Sequence, residues 1–328
     1  MRFHGVTRKP RFQRKPNSVA SGYRLTERDE NILLVVARLR IARSSHVIPL
    51  IQAAHPGASG QGLLRRLELL YRARYLSRPA AQLDSYRAGA GSKPIAYMLG
   101  NRGADLVAQK HGWRRAAVDW TAKARTAKRG EIEHAIAITD FMVTLELACR
   151  ERAGVELIHF DEILREYAPE ATRESPRPYH WPVSVGWQGS ETTLYVIPDK
   201  VFGLRDRSRS GDRGLKFFCY ELDRGTMPVV RSGLAQSSIL RKLVSYGATH
   251  RAGLHTAMYG LPNFRVLTEA PGALRAQNMI SDGYQRHLSR TYPAGLFLFT
   301  DHASLFSAED FLDHGWLDGE GKRRRLLD

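Results

Sequence analysis

Positive charge is distributed very unevenly along this chain. Residues 1–130 contain 26 Lys and Arg against 7 Asp and Glu, a net charge of +19, whereas residues 131–328 contain 24 against 26, a net charge of −2. A chain of 328 residues is also long for a single hydrophobic core. Length and charge together predict two domains. The first binds a polyanion, and the second, which is nearly neutral, has a different function.

The polyanion predicted by this charge is nucleic acid or an anionic membrane surface. The sequence has no long basic amphipathic helix with a clean apolar face, and no apolar run approaches the ~20 residues that span a bilayer. These features favour nucleic acid, with double-stranded DNA as the expected partner and no membrane. The basic N-terminus lacks the apolar stretch of a secretory signal, which predicts a cytoplasmic protein.

The two cysteines exclude two kinds of stabilising site. Cys149 and Cys219 both lie inside apolar runs and are expected to be small core residues. Two cysteines cannot form a disulfide framework or a Cys-based tetrahedral zinc site.

Three helices are predicted after a basic arm over residues 1–22, which we expect to be disordered. The first begins in "LTERDENILLVVARLR", where Thr26 is a helix cap with Asp29 three residues later. The second lies over "SSHVIPLIQAA". The third lies over "GQGLLRRLELLYRARYL" and is predicted to place Leu63, Leu64, Leu67 and Leu70 on one face.

The stretch after the third helix predicts a basic hairpin. Two extended pieces flank the Gly-, Ala-, Arg- and Lys-rich tip of "YLSRPAAQLDSYRAGAGSKPIAYMLG", and "NRGADLVAQKHG" closes the unit as a helix. Three helices and a basic wing predict a winged helix-turn-helix domain over residues 23–119, followed by a linker over residues 120–130. The alternative is a solvated basic face without a ligand. The predicted contacts are Gln61, Arg65 and Arg66 to bases or phosphates, and Arg72, Arg74, Arg87 and Lys93 to phosphates.

Residues 131–328 predict an α/β domain. The helix "EIEHAIAITDFMVTLELACRERAG" is followed by three predicted strands, a helix, a strand, a helix and a strand. The second and third strands are placed at residues 194–202 and 215–223.

Acidic residues close two of these neighbouring strands. Asp199 follows Pro198, and Glu221 and Asp223 end the next apolar run. Adjacent strands would bring Asp199 and Glu221 together, with Asp223 on the same face as Glu221. Such carboxylates repel unless a cation lies between them, and Mg²⁺ or Mn²⁺ suits oxygen ligands and can activate water beside a phosphodiester. The alternative is that Asp199 begins a turn while Glu221 and Asp223 form ordinary ion pairs with Arg224 or Lys216.

The order helix, strand, "PD", strand, "ExD" resembles the PD-(D/E)xK restriction-endonuclease-like superfamily. More closely, "ELDRGT" followed by "LRKLVSY", behind a helix that opens "LTERDENIL", resembles the replication-relaxation family, which includes MobC-type plasmid mobilisation proteins. The resemblance covers residues 23–300. It implies an α+β or α/β chain in which a winged helix precedes a nuclease-like domain over residues 131–328.

The resemblance also implies a set of site residues. Asp199 and Glu221 would be metal ligands, with Asp223 a third or a neighbouring acid. The superfamily pattern has a lysine where this chain has Asp223, so Lys242 from the next helix would supply the ammonium. Further candidates are His134 and Asp140 on the long helix, and the phenols of Tyr220 and Tyr246 as nucleophiles.

The implied function is metal-dependent nicking or cutting of DNA for the replication, relaxation or mobilisation of a plasmid or mobile element. The alternative is a non-catalytic winged-helix regulator or replication accessory whose nuclease-like domain is a degenerate scaffold. The implied partners, besides DNA, are replication or transfer proteins of the same element, or a second copy of the chain in a homodimer.

Overall fold

A computed structural model describes residues 23–79, 82, 94–118 and 126–328. The chain divides into two compact units, Met1–Thr139 and Asp140–Asp328. The boundary falls inside one long helix, and the predicted linker at 120–130 lies partly outside the described residues.

The described part of the first unit combines helices with a small sheet. Its elements are α1 (Glu27–Leu39), β1 (Ala42–Arg43), α2 (Ser44–Ala54), α3 (Gly60–Arg72), β2 (Leu76–Ser77), β3 (Ala96–Leu99), α4 (Asn101–His111), a 3₁₀ turn (Arg115–Val118) and the first part of α5 (Arg129–Glu151). The three strands pair antiparallel in the order β1-β3-β2.

Helix α1 begins where the sequence predicts. Thr26 accepts a hydrogen bond from the Asp29 amide, and the Asp29 carboxylate accepts one from the Thr26 amide at 2.8 Å, which completes a capping box. Ile32, Leu33 and Val36 are fully buried. The predicted apolar face of α3 needs one correction: Leu63, Leu67 and Leu70 are buried, but Leu64 is 41% exposed. Leu64 lies about 100° around the helix from Leu63, outside the face that Leu63, Leu67 and Leu70 share.

The described part of the second unit is built on one large sheet. Its elements are the remainder of α5, then β4 (Val155–Ile158), α6 (Phe160–Glu166), α7 (Glu170–Arg173), β5 (Trp181–Trp187), β6 (Ser190–Val196), β7 (Lys200–Asp206), β8 (Leu215–Leu222), α8 (Ile239–Arg251), α9 (Leu254–Tyr259), β9 (Arg265–Ala270), α10 (Ala273–Asn278), β10 (Phe297–Asp301), α11 (His302–Phe306), β11 (Trp316–Asp318) and β12 (Arg323–Arg324).

The seven-stranded sheet is mixed, with the order β12-β11-β10-β9-β8-β7-β4. Strands β4, β7 and β8 form an antiparallel meander, and β8, β9 and β10 then run parallel. Parallel neighbours need a crossover, which α8 provides between β8 and β9. The mixture of helices and strands agrees with the predicted fold class, α+β or α/β.

Side chains alternate between two apolar layers along β8. Phe217 and Cys219 pack with α8 and the β5–β6 hairpin, whereas Phe218 and Tyr220 lie on the opposite face. Phe141 from α5 covers that second face, with its ring stacked on Tyr220 at 4.0 Å between centroids. Cys149 and Cys219 are buried free thiols, as predicted.

One predicted strand of the second unit is wrong. Residues 194–202 do not form one strand: β6 ends at Val196 in the two-stranded sheet, and β7 begins at Lys200 in the large sheet. Pro198 lies between them, and a proline has no amide hydrogen to continue a ladder. The helix predicted between the last two strands is present as α10, which continues into a π-helical segment, Met279–Gln285.

Candidate functional site

The parallel strands β8, β9 and β10 end at nearly the same position along one edge of the large sheet. Leu222 pairs with Glu269 and Ala270 pairs with Asp301, so the three strands end nearly in register. In open α/β sheets, ligands bind in the crevice outside such ends. We call this region the sheet edge.

The first polar cluster of the sheet edge is centred on Glu221. Its carboxylate accepts hydrogen bonds from the Lys242 ammonium at 2.5 Å and from the Tyr246 hydroxyl. Lys242 and Tyr246 lie four residues apart on α8 and therefore share a helix face. The Glu221 side chain is 5% exposed, but that of Lys242 is 37% exposed. The partly exposed Lys242 side chain therefore lies between a buried carboxylate and solvent, in a cleft that Leu243, Val266 and Thr268 also line.

Burial and charge set the protonation of this pair. Burial raises the pKa of the Glu221 carboxyl above its ordinary value, although the Lys242 charge opposes the shift. Burial lowers the pKa of the Lys242 ammonium, but the negative charges of Glu221 and Asp199 outweigh burial and hold this pKa above its ordinary value. Asp223 acts on Lys242 in the same direction, so the lysine is the cation among the three acids.

The predicted convergence of the three acids can now be compared with their positions. Continuing the β7–β8 register from Lys200 and Tyr220 places Asp199 opposite Glu221, and the Asp199 carboxylate accepts the Leu222 amide at 2.9 Å. Asp223 lies one residue beyond β8 and pairs with Arg275 of α10 at 2.9 Å.

This arrangement does not fit the predicted three-carboxylate metal site. Across the described residues, no group of three His, Cys, Asp or Glu is placed to hold a metal ion. Glu221 is bonded to Lys242 and Tyr246, and Asp223 is bonded to Arg275. Where the sequence suggested a divalent cation, Lys242 pairs with Glu221, Arg275 pairs with Asp223, and the Leu222 amide donates to Asp199.

A second polar cluster of the sheet edge is centred on Glu269. This residue is 1% exposed, and its carboxylate accepts the Tyr220 hydroxyl at 2.6 Å and contacts His302 Nδ1 at 2.7 Å. His302 is the first residue of α11, directly after β10, and its side chain is 56% exposed. The sequence prediction missed this cluster, although its signal is the same as for Glu221: polar residues follow the apolar runs "FRVL" and "LFLF".

The two phenols act as hydrogen-bond donors at these clusters. Burial and the nearby Glu269 charge raise the pKa of Tyr220 well above its ordinary value. Burial and the nearby Glu221 charge do the same for Tyr246. Protonated phenols are poor nucleophiles, so the geometry gives both tyrosines the role of holding a carboxylate.

The two candidates on α5 lie on opposite sides of the unit boundary. His134 is half-buried and belongs to the first unit, whereas Asp140 belongs to the second. The charge of Asp140 contributes to the raised pKa of Tyr220, which places Asp140 near the Glu269 cluster.

The predicted DNA contacts of α3 differ in their surroundings. Gln61, Leu64, Arg65 and Arg72 are exposed and define what we call the α3 surface. Arg72 pairs with Glu68 at 2.9 Å. Arg74 is exposed just beyond the helix. Arg87 and Lys93 lie outside the described residues.

Arg66 has a different environment from its neighbour Arg65. Its Nε donates to Asp29 Oδ1 at 2.8 Å, and its guanidinium lies 5.0 Å from the centre of the Tyr23 ring. Asp29 is completely buried. Although burial raises the pKa of Asp29, hydrogen bonds from Arg66 and Thr26 lower it below the ordinary value. Arg66 therefore joins α3 to the cap of α1.

Comparison with known proteins identifies the family. The sequence profile described as replication-relaxation matches residues 33–263, more than half of the chain. The chain belongs to the replication-relaxation family. This confirms the predicted family and indicates a role in the replication or relaxation of a plasmid or mobile element. Searches of curated proteins and of solved structures gave no significant match.

The membrane prediction was tested over the described residues. Within them, none of the helices has both the length and the apolar character required to span a bilayer.

Proposed function

We propose that this family member binds duplex DNA of a plasmid or mobile element through its first unit and nicks a DNA strand at the sheet edge of its second unit. The observation that carries the proposal is the Glu221–Lys242 pair, in which a buried carboxylate holds the ammonium of a partly exposed lysine side chain at the carboxyl end of a parallel strand.

The element order of the first unit supports duplex binding. A helix, a short strand, two helices and a pair of strands, with the sheet order β1-β3-β2, support the assignment of a winged helix. In such domains the third helix enters the major groove. The α3 surface carries an amide, an exposed leucine and two arginines, a set suited to base edges and phosphates. Arg66 would act indirectly, by fixing the orientation of α3.

The topology of the second unit supports a nuclease-like domain. Helix α5 precedes the antiparallel meander β4-β7-β8, and α8 crosses to the parallel strand β9. The Pro-Asp pair precedes the second strand of the meander, and Glu221 is the penultimate residue of the third. These are the positions that the PD-(D/E)xK resemblance assigns to the acids.

Lys242 is the residue that we expect to meet the phosphodiester. Its side chain is 37% exposed, and its ammonium carries a positive charge at neutral pH, because the surrounding acids raise its pKa. An ammonium at this position would stabilise the negative charge that develops on phosphate oxygens during cleavage. Glu221 and Tyr246 would orient it.

A divalent cation, Mg²⁺ or Mn²⁺, remains part of the prediction. The donor set of Asp199, Glu221 and Asp223 does not fit a three-ligand site as the side chains are arranged. Dependence of the reaction on Mg²⁺ or Mn²⁺ is therefore a question for the assay.

One observation favours the second candidate, a DNA-binding regulator or replication accessory with a degenerate nuclease-like scaffold. Asp223 occupies the usual lysine position, and its carboxylate is neutralised by Arg275. A site whose acids are all paired is also what a purely structural charge network would look like.

The experiment is incubation of supercoiled plasmid with the full chain in Mg²⁺, in Mn²⁺ and in chelator. We expect conversion to relaxed circles, and we expect Lys242→Ala to slow it at least tenfold. Arg241→Ala, one residue earlier on α8, is the matched control. Supercoiled plasmid that remains intact under all conditions, but is bound, would favour the accessory function.

A further inference from the structure

A histidine at the sheet edge has the surroundings of an acid–base group, although the sequence prediction did not include it. His302 follows the last residue of β10 and begins α11. Its Nδ1 contacts a Glu269 carboxylate oxygen at 2.7 Å, while 56% of its side chain is exposed. One side of the ring is thus held by a buried acid and the rest is open to solvent.

The carboxylate that holds this ring is itself fixed. Glu269 is 1% exposed, and its second oxygen accepts the Tyr220 hydroxyl at 2.6 Å. Tyr220 is fully buried and stacked on Phe141. Phe141 therefore packs on Tyr220, the Tyr220 hydroxyl donates to Glu269, and Glu269 contacts His302.

This order of contacts determines which nitrogen of His302 is available. A carboxylate accepts hydrogen bonds, so in the neutral ring the proton lies on Nδ1 and the lone pair on Nε2. Among the described residues, nothing forms a hydrogen bond with Nε2. An imidazole oriented by a buried carboxylate through one nitrogen, with the other nitrogen open, is the arrangement of a general base.

The acid next to His302 in the sequence, Asp301, is held by other partners. Besides Glu269, the adjacent acid is Asp301, whose carboxylate caps α11 by accepting the Ser304 amide at 3.0 Å and the Ser304 hydroxyl at 2.6 Å. The other ring in contact with His302 is Phe306, at 4.6 Å between centroids.

His302 and Lys242 contact glutamates that project to opposite faces of the sheet at the same edge. Glu221 and Glu269 project to opposite faces, because they pair with Thr268 and Leu222 in the register and strand side chains alternate. The end of β10 is two strand spacings from the end of β8, about 10 Å along the edge. A strand of DNA lying across the edge would contact both groups.

We propose that His302 is a general base for phosphodiester hydrolysis at this edge, which rests on the proposed nicking function. His302 Nε2 takes one proton from a water molecule as the water oxygen forms a bond to phosphorus. The bond from phosphorus to the leaving sugar oxygen breaks, and that oxygen takes a proton from solvent. The imidazolium then returns its proton to solvent, which leaves a nicked strand and an unchanged enzyme.

The test is plasmid nicking by full-length His302→Ala with and without added imidazole. We expect the nicking rate to fall by about 100-fold or more. Added imidazole should partly restore the rate, because removal of an exposed side chain leaves space that a free imidazole can enter. His287→Ala is the control, since His287 is also exposed but contacts a tryptophan ring rather than an acid. Its rate should equal that of the wild type.

A second measurement does not depend on cutting. Carbethoxylation by diethyl pyrocarbonate, followed by peptide mass spectrometry, should modify His302 faster than His287, and Glu269→Gln should slow His302 alone. Equal rates at the two histidines would overturn the inference even for a protein that nicks. Nicking by His302→Ala at the wild-type rate, or a loss that imidazole does not restore, would overturn it while leaving the proposed function intact. A wild type that never nicks would overturn both.

Discussion

The α3 surface and the sheet edge use charge in opposite ways. Arg65 is exposed on the α3 surface, whereas Glu221 and Glu269 are buried at the sheet edge and each is bound by two side chains. An exposed arginine can pair with a phosphate at little desolvation cost, but a buried acid must be compensated inside the protein. The first region is suited to attracting a polyanion, and the second to holding a few groups in fixed positions.

The largest expected effect tests whether the sheet edge depends on its packing. Phe141→Ala removes a fully buried ring that stacks on Tyr220 and touches Phe202, Phe311 and Trp316. It should lower the free energy of unfolding by about 3–5 kcal/mol, measured by urea denaturation. A near-neutral effect would mean that Phe141 does not support the Glu269 cluster. Leu274→Ala, at a residue that is 70% exposed, is the control.

The next effect separates two adjacent arginines. Arg66→Ala leaves the buried Asp29 carboxylate without its guanidinium and should destabilise the protein by about 1–3 kcal/mol. Arg65→Ala should change stability by less than about 0.5 kcal/mol while weakening duplex binding by about 1–3 kcal/mol and reducing its salt dependence. Thermal melts and fluorescence anisotropy measure the two quantities. If Arg66→Ala were as stable as the wild type, the assignment of Arg66 to structure would be wrong.

The smallest effect concerns pH. Burial raises the folded-state pKa of Glu221 above the ordinary carboxyl value of 4.5, so the folded protein keeps this proton to a higher pH than the unfolded chain does. The stabilisation from this group is complete below about pH 4.5 and is lost as the pH rises through the folded-state pKa. The stability of the wild type relative to Glu221→Gln should therefore fall as the pH rises from 4.5, measured by urea denaturation at a series of pH values.

The control for the pH experiment has the opposite sign. Asp318 is buried, yet hydrogen bonds from the Lys322 amide and Arg324 hold its pKa below the ordinary value of 3.8. The advantage of the wild type over Asp318→Asn should be present above pH 3.8 and be lost as the pH falls through the lowered pKa. The same slope for both variants would contradict the assignment of Glu221.

The sequence predicted the parts of the fold that depend on local pattern. The spacing of apolar residues and the residues at element ends predicted three features correctly. These are the capping box at Thr26, the strand "LKFFCYEL" and the crossover helix α8. The β5–β6 hairpin was missed, although β5 alternates between buried and exposed residues and its turn has Gln188 and Gly189 at positive φ.

The site was predicted less completely because it depends on long-range partners. The pairing of Asp199 with Glu221 followed from strand adjacency alone, and the register supports that placement. Packing decides that Asp223 meets Arg275 of α10, 52 positions away, and that His302 meets Glu269 of another strand, 33 positions away. A sequence pattern that marks strand ends shows which residues reach the edge, but not which face each one takes.

The division of labour between the two regions is tested most directly by measuring binding and cutting separately. Single-turnover nicking is followed across a range of protein concentrations for the wild type, Arg65→Ala and Lys242→Ala. We expect Arg65→Ala to need more protein for half-saturation and to reach the wild-type rate, and Lys242→Ala to saturate like the wild type at a rate at least tenfold lower. If Lys242→Ala instead lost duplex affinity and kept its rate at saturation, the sheet edge would be a DNA-binding surface rather than the place where the strand is cut.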